Sequence, residues 1–504
     1  MLSSFYLFAQ QTPQLTVQPD TVIGKNILTG QDIIAQQYAT PEKIYRWHLP
    51  ETDNLILELR TTDKKGKNFK NEGYLTSINL SDKSTVWSRD VNYKNSEIEN
   101  MSGNIFLKEK NKNYLLDPIT GNNKWESKTF FYFIEPRSNI GVGYPLSALS
   151  NKLYAIDLNT GQELWDAKLD RTYGWDDAYM YNDSMLLIAM NGLNAYDLQN
   201  GYKWNYSAKT TKKEIGKLIA TNVAGAILGA VTGVGFYKTV PDVATDMVSN
   251  IFIDEGGDMV LASRDKISRM DTQGNVLWST ELPEKTTSKS SLFAIDSTIY
   301  MINRGYAKYN GDFSMIGDPY FAAFNKFTGN QLYMNLIPEK KEFIRNFQVI
   351  NNVLFIVFEN KIATYSLSNG ALLKEQVMDL TEDEELEAFI ESGVFVRQPD
   401  SSFVDVLEIN PQMNYVFTNK NRVLSVNDSL QVSLVYDKDQ VFTHTLDLGD
   451  FHLLQGASNS AYIVNNRNIP LMKIDNKYDM FFRNGSLYVL QDKLIREINL
   501  DQLR

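Results

Sequence analysis

The chain has 504 residues, 43% of them hydrophobic and 12% aromatic, and carries a formal net charge of −11 at pH 7. This acidic balance gives no electrostatic footprint for nucleic acid, so we expect no nucleic-acid partner. The chain has no cysteine. Its absence excludes disulfides, thiolate metal ligands and cysteine nucleophiles.

The N-terminus begins with a short apolar run that ends in Ala9-Gln10-Gln11. An apolar run followed by a small residue is typical of the end of a secretory signal, although the usual basic segment is missing here. The alternative is an apolar tail without a targeting role. We expect export to the periplasm or bacterial cell envelope and assign 1–43 as a signal-like N-terminus and lead-in segment.

A short motif returns along the chain: an acidic residue, a polar spacer, a glycine and then a tryptophan. Four clear copies contain Asp117, Gly121 and Trp125; Asp157, Gly161 and Trp165; Asp197, Gly201 and Trp204; and Asp271, Gly274 and Trp278. Weaker copies surround Gly329 and Gly370. The regular interval between glycines is about 40 residues, which is typical of the blades of a β-propeller.

Each residue of the motif has a physical role in such a blade. The acidic side chain can accept hydrogen bonds from backbone amides of the turn, and glycine supplies a positive φ. The tryptophan offers a flat surface that can fill the gap between neighbouring blades. We therefore predict an all-β fold, a single β-propeller of four-stranded blades over 44–504, with eight blades favoured over seven.

The motif is not uniform along the chain. An earlier unit has a turn at Leu80–Ser84 without glycine, and after Gly370 the motif decays although strand-like segments continue. We expect this tail to supply one or two further blades. Atypical strands are usual where a ring of repeats closes.

The longest interval between motif glycines holds an apolar insertion, 208–242. Gly225, Gly229 and Gly233 are spaced so that they share one helical face, and 218–236 contains no charged residue. We predict a helical Gly/Ala-rich insertion. A single membrane span is excluded, because blades on both sides belong to one ring. A helix docked on the propeller, a membrane insertion through 215–237 and a partner or oligomer contact remain open.

Three other groups contain residue types that occur in metal or binding sites. His444 and His452 flank Asp447 and Asp450, but their spacing favours a polar connection between strands over a metal site. The acidic run 382–387 indicates a solvated loop, with docking of a basic partner as the alternative. The cluster 173–177, which combines aromatic and acidic residues, favours packing at a blade edge over a sugar or protein contact. We predict no metal site.

The unit Ala155-x-Asp157-x-x-Thr160-Gly161-x-x-x-Trp165 resembles the tryptophan-docking repeat of the quinoprotein-type β-propellers. That family includes dehydrogenases dependent on pyrroloquinoline quinone and the propeller lipoprotein of the outer-membrane barrel-assembly machinery. The resemblance implies a fold, whereas one fold hosts many functions. The family's enzymes bind quinone and calcium at the ring centre, often beside a disulfide of adjacent cysteines. This chain has neither cysteine nor an Asp-x-Asp-x-Asp-Gly calcium loop.

No catalytic residue can therefore be carried over from the family. We expect a non-enzymatic interaction scaffold of the bacterial cell envelope that needs no cofactor. It would recognise protein partners through loops on a propeller face or by strand addition at a blade edge. The alternatives are a periplasmic dehydrogenase dependent on quinone and calcium, and a propeller that senses a carbohydrate or other ligand.

Overall fold

The structure is a computed structural model. It describes the chain apart from residues 1–13, 147–149, 170–174, 176, 191, 209–246, 284–285, 310–311, 316, 338–343, 390–393, 401–402, 409–413, 421, 428, 437–440, 457–459, 468 and 476. The described elements are antiparallel β-strands and a final 3-10 helix, Leu500–Leu503. No helix in the described part of the chain has the length and apolar character needed to cross a membrane.

The strands form ten sheets of at least four strands, which we number as blades 1–10 in ring order. Blade 1 contains β3 (Lys43–His48), β4 (Asn54–Thr62), β5 (Phe69–Asn79) and β6 (Thr85–Asn92). Blade 2 contains β7 (Ser96–Met101), β8 (Asn104–Glu109), β9 (Lys112–Leu116) and β10 (Asn123–Ser127). Blade 3 contains β11 (Thr129–Glu135), β12 (Ile140–Pro145), β13 (Lys152–Asp157) and β14 (Glu163–Lys168). Blade 4 contains β15 (Asp177–Met180), β16 (Met185–Met190), β17 (Gly192–Asp197) and β18 (Gly201–Ser207).

The next three blades repeat this order, with one added hairpin. Blade 5 contains β19 (Phe252–Ile253), β20 (Met259–Ala262), β21 (Lys266–Met270) and β22 (Val276–Glu281). Blade 6 contains β23 (Ser290–Ile295), β24 (Thr298–Asn303), β27 (Tyr320–Asn325) and β28 (Gln331–Leu336), and the hairpin β25 (Tyr306–Tyr309) and β26 (Asp312–Met315) lies between its second and third strands. Blade 7 contains β29 (Asn346–Ile350), β30 (Val353–Val357), β31 (Lys361–Ser366) and β32 (Leu372–Val377).

The last three blades are less regular. Blade 8 contains β33 (Leu386–Phe389), β36 (Asn414–Thr418), β37 (Val423–Val426) and β38 (Val432–Tyr436). Blade 9 contains β39 (Val441–Asp447), β40 (Phe451–Gly456), β41 (Ser460–Asn465) and β42 (Pro470–Asp475), with β34 (Val394–Asp400) and β35 (Phe403–Glu408) added beside β39. Blade 10 contains β43 (Asp479–Arg483), β44 (Ser486–Gln491), β45 (Leu494–Asn499), β2 (Asp32–Ala39) and β1 (Thr16–Lys25).

The core lies between blades. Buried apolar clusters fill the gaps between consecutive blades from blade 1 to blade 8. Further clusters join blade 9 to blade 10 and blade 10 to blade 1. The middle strands are almost wholly buried because both of their faces are covered, as in β16. The fourth strand of a blade lies at the outer edge of the ring, and β32 is exposed at every position.

The two ends of the chain close the ring together. β2 pairs with β45 in antiparallel register, with Gln37 opposite Arg496 and Tyr38 opposite Ile495. The N-terminal strand β2 therefore acts as the fourth strand of the last blade, and β1 adds a fifth. The predicted boundary at residue 43 does not match this pairing, since β1 and β2 share a sheet with the C-terminal strands.

The predicted all-β propeller is confirmed, but the count of eight blades is wrong. The motif glycines mark only blades 2–7. The residues after β32 form three blades rather than one or two, because blade 10 takes its outer strands from the N-terminus and needs only three C-terminal strands. The predicted insertion 208–242, with Gly225, Gly229 and Gly233, lies outside the described residues apart from Ala208.

Candidate functional site

The repeated turns have one common geometry. Asp117 Oδ1 accepts hydrogen bonds from the backbone amides of the second and third residues that follow it, at 2.8 and 3.2 Å. Asp157, Asp197 and Asp271 accept comparable backbone hydrogen bonds. Bonds from the side chain and backbone of Asn275 also lower the pKa of Asp271. The turn glycines that follow, Gly121, Gly161, Gly201 and Gly274, have φ between 70° and 92°.

Each motif tryptophan contacts the next blade rather than the turn of its own repeat. The indole Nε1 of Trp125 donates to the Leu158 carbonyl of the following blade at 2.8 Å, and Trp165 donates to the Leu198 carbonyl at 2.8 Å. Trp204 and Trp278 donate to the carbonyls of Thr272 and Lys326 in the same way, at 3.1 and 3.0 Å. Tyr333 continues this series from blade 6 to blade 7, and Trp87 begins it from blade 1.

The glycine of the next turn supports the tryptophan ring. A Cβ atom on Gly161 would lie 2.5 Å from Cγ of Trp125, and one on Gly274 would lie 2.6 Å from Cδ2 of Trp204. Glycine is therefore needed for two reasons, the positive φ of the turn and the space that the ring of the preceding blade occupies. The repeat spacing reveals the first reason, whereas the second appears only when consecutive repeats are placed side by side.

A charged contact replaces this arrangement where the ring closes. The turn of blade 1 has no glycine, and Lys83 adopts the left-handed conformation with φ 63°. Its Nζ lies 2.8 Å from Glu497 of blade 10 in a largely buried ion pair. The rings of Tyr38 and Tyr488 lie 5.7 and 5.2 Å from the same nitrogen, and burial, with the Glu497 charge, raises the pKa of Tyr38 to about 12.

Two residues of the acidic run 382–387 form hydrogen bonds and ion pairs within the protein. Glu384 is buried and accepts hydrogen bonds from Thr381, Thr418 and Arg422 at 2.7, 2.8 and 2.5 Å. Burial alone would raise the pKa of this carboxyl, but the three donors outweigh that effect and lower the pKa to about 2. Glu385 pairs with Arg345, which precedes blade 7, at 2.5 Å. Glu384 therefore makes contacts within blade 8, and Glu385 links blade 8 to blade 7. The run is not the solvated loop that the sequence indicated.

The aromatic–acidic cluster packs at a blade interface. Trp175 is buried between blades 3 and 4, and its Nε1 donates to the hydroxyl of Tyr144 at 3.1 Å. Tyr132 lies against the same indole with ring centroids 5.3 Å apart. Asp177 is exposed at the start of β15 and caps the Ala178 amide. For these described members of the cluster, the contacts are those of blade-edge packing.

The histidines are distributed over separate contacts. His452 lies 3.0 Å from Asp447, whereas Asp450 pairs with Arg504 at 2.8 Å. His444 belongs to β39, and its side chain is outside the described part. Among the described residues, no group of three or more histidine, aspartate or glutamate side chains is arranged to hold a metal ion.

Two buried charge clusters were not predicted from the sequence. In blade 1, Glu58 lies 3.0 Å from His48, and Arg60 stacks between the rings of Tyr45 and Tyr93 at 3.6 and 4.1 Å. At the interface of blades 5 and 6, Arg269 binds Asp254 and Asp258 at 2.7 and 2.8 Å and donates to the Lys326 carbonyl. Glu58 interrupts an otherwise apolar strand, but nothing in the sequence identifies His48 as its partner.

The outer edge of the ring carries an unusual concentration of exposed apolar side chains on blades 5, 6 and 7. We call this set the apolar rim; its members are Val276, Leu277, Leu332, Leu336, Leu372, Leu373 and Val377. They lie on β22, β28 and β32, the outer strands of three consecutive blades. By contrast, β14 of blade 3 has charged residues at its exposed positions. The apolar rim is therefore one candidate interaction site in the described part of the chain; β1 of blade 10 also has exposed apolar residues, Val17 and Val22.

Comparisons with known proteins give a likeness at the level of fold. No protein-family model matches this chain, and a search of curated proteins finds no match. Among solved structures, BamB from Moraxella catarrhalis is 12% identical over 80% of this chain and 96% of its own, with a TM-score of 0.29. The C-terminal WD40 domain of Sif2 is 9% identical over 84% and 99%, with a TM-score of 0.32. Sqt1 from Saccharomyces cerevisiae is 11% identical over 74% and 99%, with a TM-score of 0.35.

The contact between the Trp125 ring and Gly161 predicts that Gly161→Ala destabilises the protein more than strain in the turn alone explains. Gly30 has a similar φ of 72°, but a Cβ there meets no atom within 4 Å. We expect Gly30→Ala to cost about 1–2 kcal/mol from left-handed strain, and Gly161→Ala to cost clearly more because Trp125 must move. Urea unfolding measures both. Equal shifts of the unfolding midpoint would contradict the docking role of Gly161.

The Glu384 contacts predict a dependence of stability on pH. The folded-state pKa of about 2 lies below the ordinary value of 4.5, so this carboxylate stabilises the fold above about pH 4.5 and the contribution is lost as the pH falls towards 2. We expect Glu384→Gln to cost about 3 kcal/mol at pH 7 and to flatten the decline of stability between pH 5 and pH 3. The matched control is Glu382→Gln, an exposed position in the same run. A Glu384→Gln profile parallel to that of the wild type refutes the assignment.

Proposed function

We propose that this protein is a non-catalytic interaction scaffold of the bacterial cell envelope. The observation that carries the proposal is the apolar rim on the outer strands of blades 5–7. Exposed apolar side chains repeated on consecutive blades are typical of protein contact sites, because leaving them in water is unfavourable. A propeller suits this role, since its interblade contacts hold the outer strands in fixed relative positions.

The chemistry of the rim indicates the kind of partner. The rim side chains are aliphatic, and each outer strand also has one edge that no described strand of the same blade covers. A partner segment in extended conformation satisfies both features, because its backbone pairs with the strand edge and its apolar side chains cover the leucines. The proposed partners are therefore proteins that present an extended apolar segment.

The cell-envelope location is a separate part of the proposal. It is supported by the signal-like start of the chain and by the resemblance of the repeat to that of quinoprotein-type propellers. For the apolar stretch 215–237, which lies outside the described residues, contact with a membrane or a partner is proposed as the alternative to docking on the propeller itself. Cell fractionation with sequencing of the mature N-terminus tests the location. A start near Gln10 in the envelope fraction supports export, and an intact Met1 in the cytoplasmic fraction contradicts it.

The rim is tested by photo-crosslinking in the native host. A photoreactive residue at Leu332 on β28 is expected to give a defined crosslinked product, identifiable by mass spectrometry, because this side chain is 54% exposed on the rim. The matched control is Lys124 on β10, an exposed outer-strand position without rim neighbours. The identified partner, once purified, should bind Leu332→Asp at least tenfold more weakly than the wild type. The same products at both positions, or none at Leu332, would refute the rim as the contact site.

A further inference from the structure

The hairpin that joins β4 to β5 extends beyond the rest of blade 1. β3 pairs with β4 as far as Arg60, and β6 pairs with β5 as far as Glu72. Residues 61–70, which we call the basic hairpin, therefore extend past both neighbouring strands. Within the basic hairpin, Thr62 pairs with Phe69.

One carboxylate fixes the turn of the basic hairpin. Asp63 Oδ1 accepts hydrogen bonds from the backbone amides of Lys65 and Lys67 at 3.1 and 2.9 Å. Its Oδ2 accepts a hydrogen bond from the side chain of Asn68 at 2.8 Å. Gly66 supplies the positive φ of the turn, 66°. Because the turn is already formed, binding of a ligand need not order it.

The base of the basic hairpin is held against the blade. Arg60 stacks between the rings of Tyr45 and Tyr93, at 3.6 and 4.1 Å from their centroids. The backbone amide of Tyr93, which follows β6, donates to the Asn71 carbonyl at 2.7 Å. These contacts fix the direction in which the hairpin leaves the blade.

The basic hairpin has the opposite charge to the chain as a whole. Residues 63–70 contain four lysines and one aspartate, which give a net charge of +3, whereas the whole chain carries −11. The four side chains are exposed and form no ion pair with the described part of the chain: Lys64, Lys65, Lys67 and Lys70. Because charges more than about 8 Å away are largely screened at physiological ionic strength, the local positive charge governs contacts at the hairpin.

Two neighbouring connections add positive charge at the same end of blades 1 and 2. The amide of Lys110, in the turn between β8 and β9, donates to the Asn95 carbonyl at 3.3 Å. Asn95 lies in the connection from β6 to β7, which also contains Tyr93 at the hairpin base. Lys94 and Lys110 are both exposed, and exposed Glu72 offsets part of this charge.

An aromatic side chain accompanies the lysines. Phe69 is 42% exposed, and its ring packs edge-on against Tyr45 with centroids 5.1 Å apart. Lysines combined with an exposed aromatic residue are typical of segments that bind an anionic membrane surface. The absence of arginine from 63–70 agrees with this, because arginine's planar fork suits recognition of one particular phosphate or carboxylate, whereas lysine acts as a point charge. A projecting turn can also reach a flat surface without a groove.

We propose that the basic hairpin binds the head groups of anionic phospholipids at a membrane surface. The lysine ammonium groups contact the lipid phosphates, and the exposed part of Phe69 enters the head-group region. The basic hairpin lies on blade 1 and the apolar rim on blades 5–7, so lipid binding does not require the protein partner proposed for the rim.

Sedimentation of the full chain with vesicles tests this site. The wild type should sediment with vesicles made of equal amounts of phosphatidylglycerol and phosphatidylcholine, and should remain in solution with phosphatidylcholine alone. Added salt should release it, because the attraction is electrostatic.

Two fourfold variants remove the same charge from different places. The hairpin variant carries Lys64→Gln, Lys65→Gln, Lys67→Gln and Lys70→Gln. It should bind roughly a hundredfold more weakly or worse, since each lysine near an anionic surface contributes roughly fivefold. The control variant changes exposed lysines of blades 2, 3, 7 and 9, namely Lys124→Gln, Lys168→Gln, Lys374→Gln and Lys473→Gln. It should bind as the wild type does.

The aromatic residue distinguishes a lipid surface from an acidic protein segment. Phe69→Ser should weaken vesicle binding roughly three- to tenfold and leave its salt dependence unchanged, because only the apolar contact is lost. Polyglutamate is the competing probe. If it displaces the vesicles efficiently and Phe69→Ser binds them as the wild type does, the hairpin is a site for acidic protein segments and the lipid assignment is overturned.

The remaining results separate lipid binding from the scaffold proposal. Sedimentation with both kinds of vesicle alike, with neither, or equally for the two fourfold variants overturns the lipid site. Equal urea midpoints for the variants and the wild type exclude misfolding as the cause of lost binding. Crosslinking from Leu332 in the hairpin variant tests the scaffold independently, because β28 is unchanged.

Discussion

The constraint on which this structure depends is that no blade can bury both of its faces alone. Each sheet has apolar side chains on two sides, and they become buried only when a neighbour packs on each side. The ring must therefore close, and it closes by pairing β2 with β45. The Lys83–Glu497 ion pair lies at the same join, where the tryptophan contact seen between consecutive blades from blade 1 to blade 6 is absent. The N-terminal strands are thus part of the fold rather than a lead-in to it.

Between the ends, one contact is repeated with small variations. The indole of one blade lies over the turn glycine of the next and donates to a carbonyl of that turn. This contact links consecutive blades at their outer edges, while the apolar clusters link them further in. Between blades 5 and 6, Arg269 donates to the same Lys326 carbonyl as Trp278 does. Between blades 7 and 8, where β32 carries no tryptophan, Arg345 pairs with Glu385. The interblade contacts leave the outermost strands exposed to solvent, as β32 shows, so these strands are available for function.

Much of this architecture could be predicted from the sequence, because turn chemistry is local. In each copy, the acidic residue and the glycine predict the conformation of their own turn. The interval between copies predicts one blade per copy. The docking partner of Trp165 could not be predicted, since it lies in the next repeat. The predicted number of blades was wrong because the strands after Gly370 lack the motif. In addition, the last blade contains two strands from the N-terminal end of the chain. Buried charges such as Glu58 have no sequence signature, because pairing depends on which side chains the fold brings opposite them.

Ring closure can be measured most directly with a disulfide, because the chain has no cysteine of its own. Gln37 and Arg496 lie opposite each other, with their side chains in contact at 3.3 Å. A chain carrying Gln37→Cys and Arg496→Cys should form an intramolecular disulfide under mild oxidation and migrate faster in a non-reducing gel. The control pairs Gln37→Cys with Glu497→Cys, where a shift of one residue directs the second side chain to the opposite face. Efficient bonding in the first pair alone is the predicted result. No bond in the first pair, or equal bonding in both, would contradict a ring closed by β2 and β45.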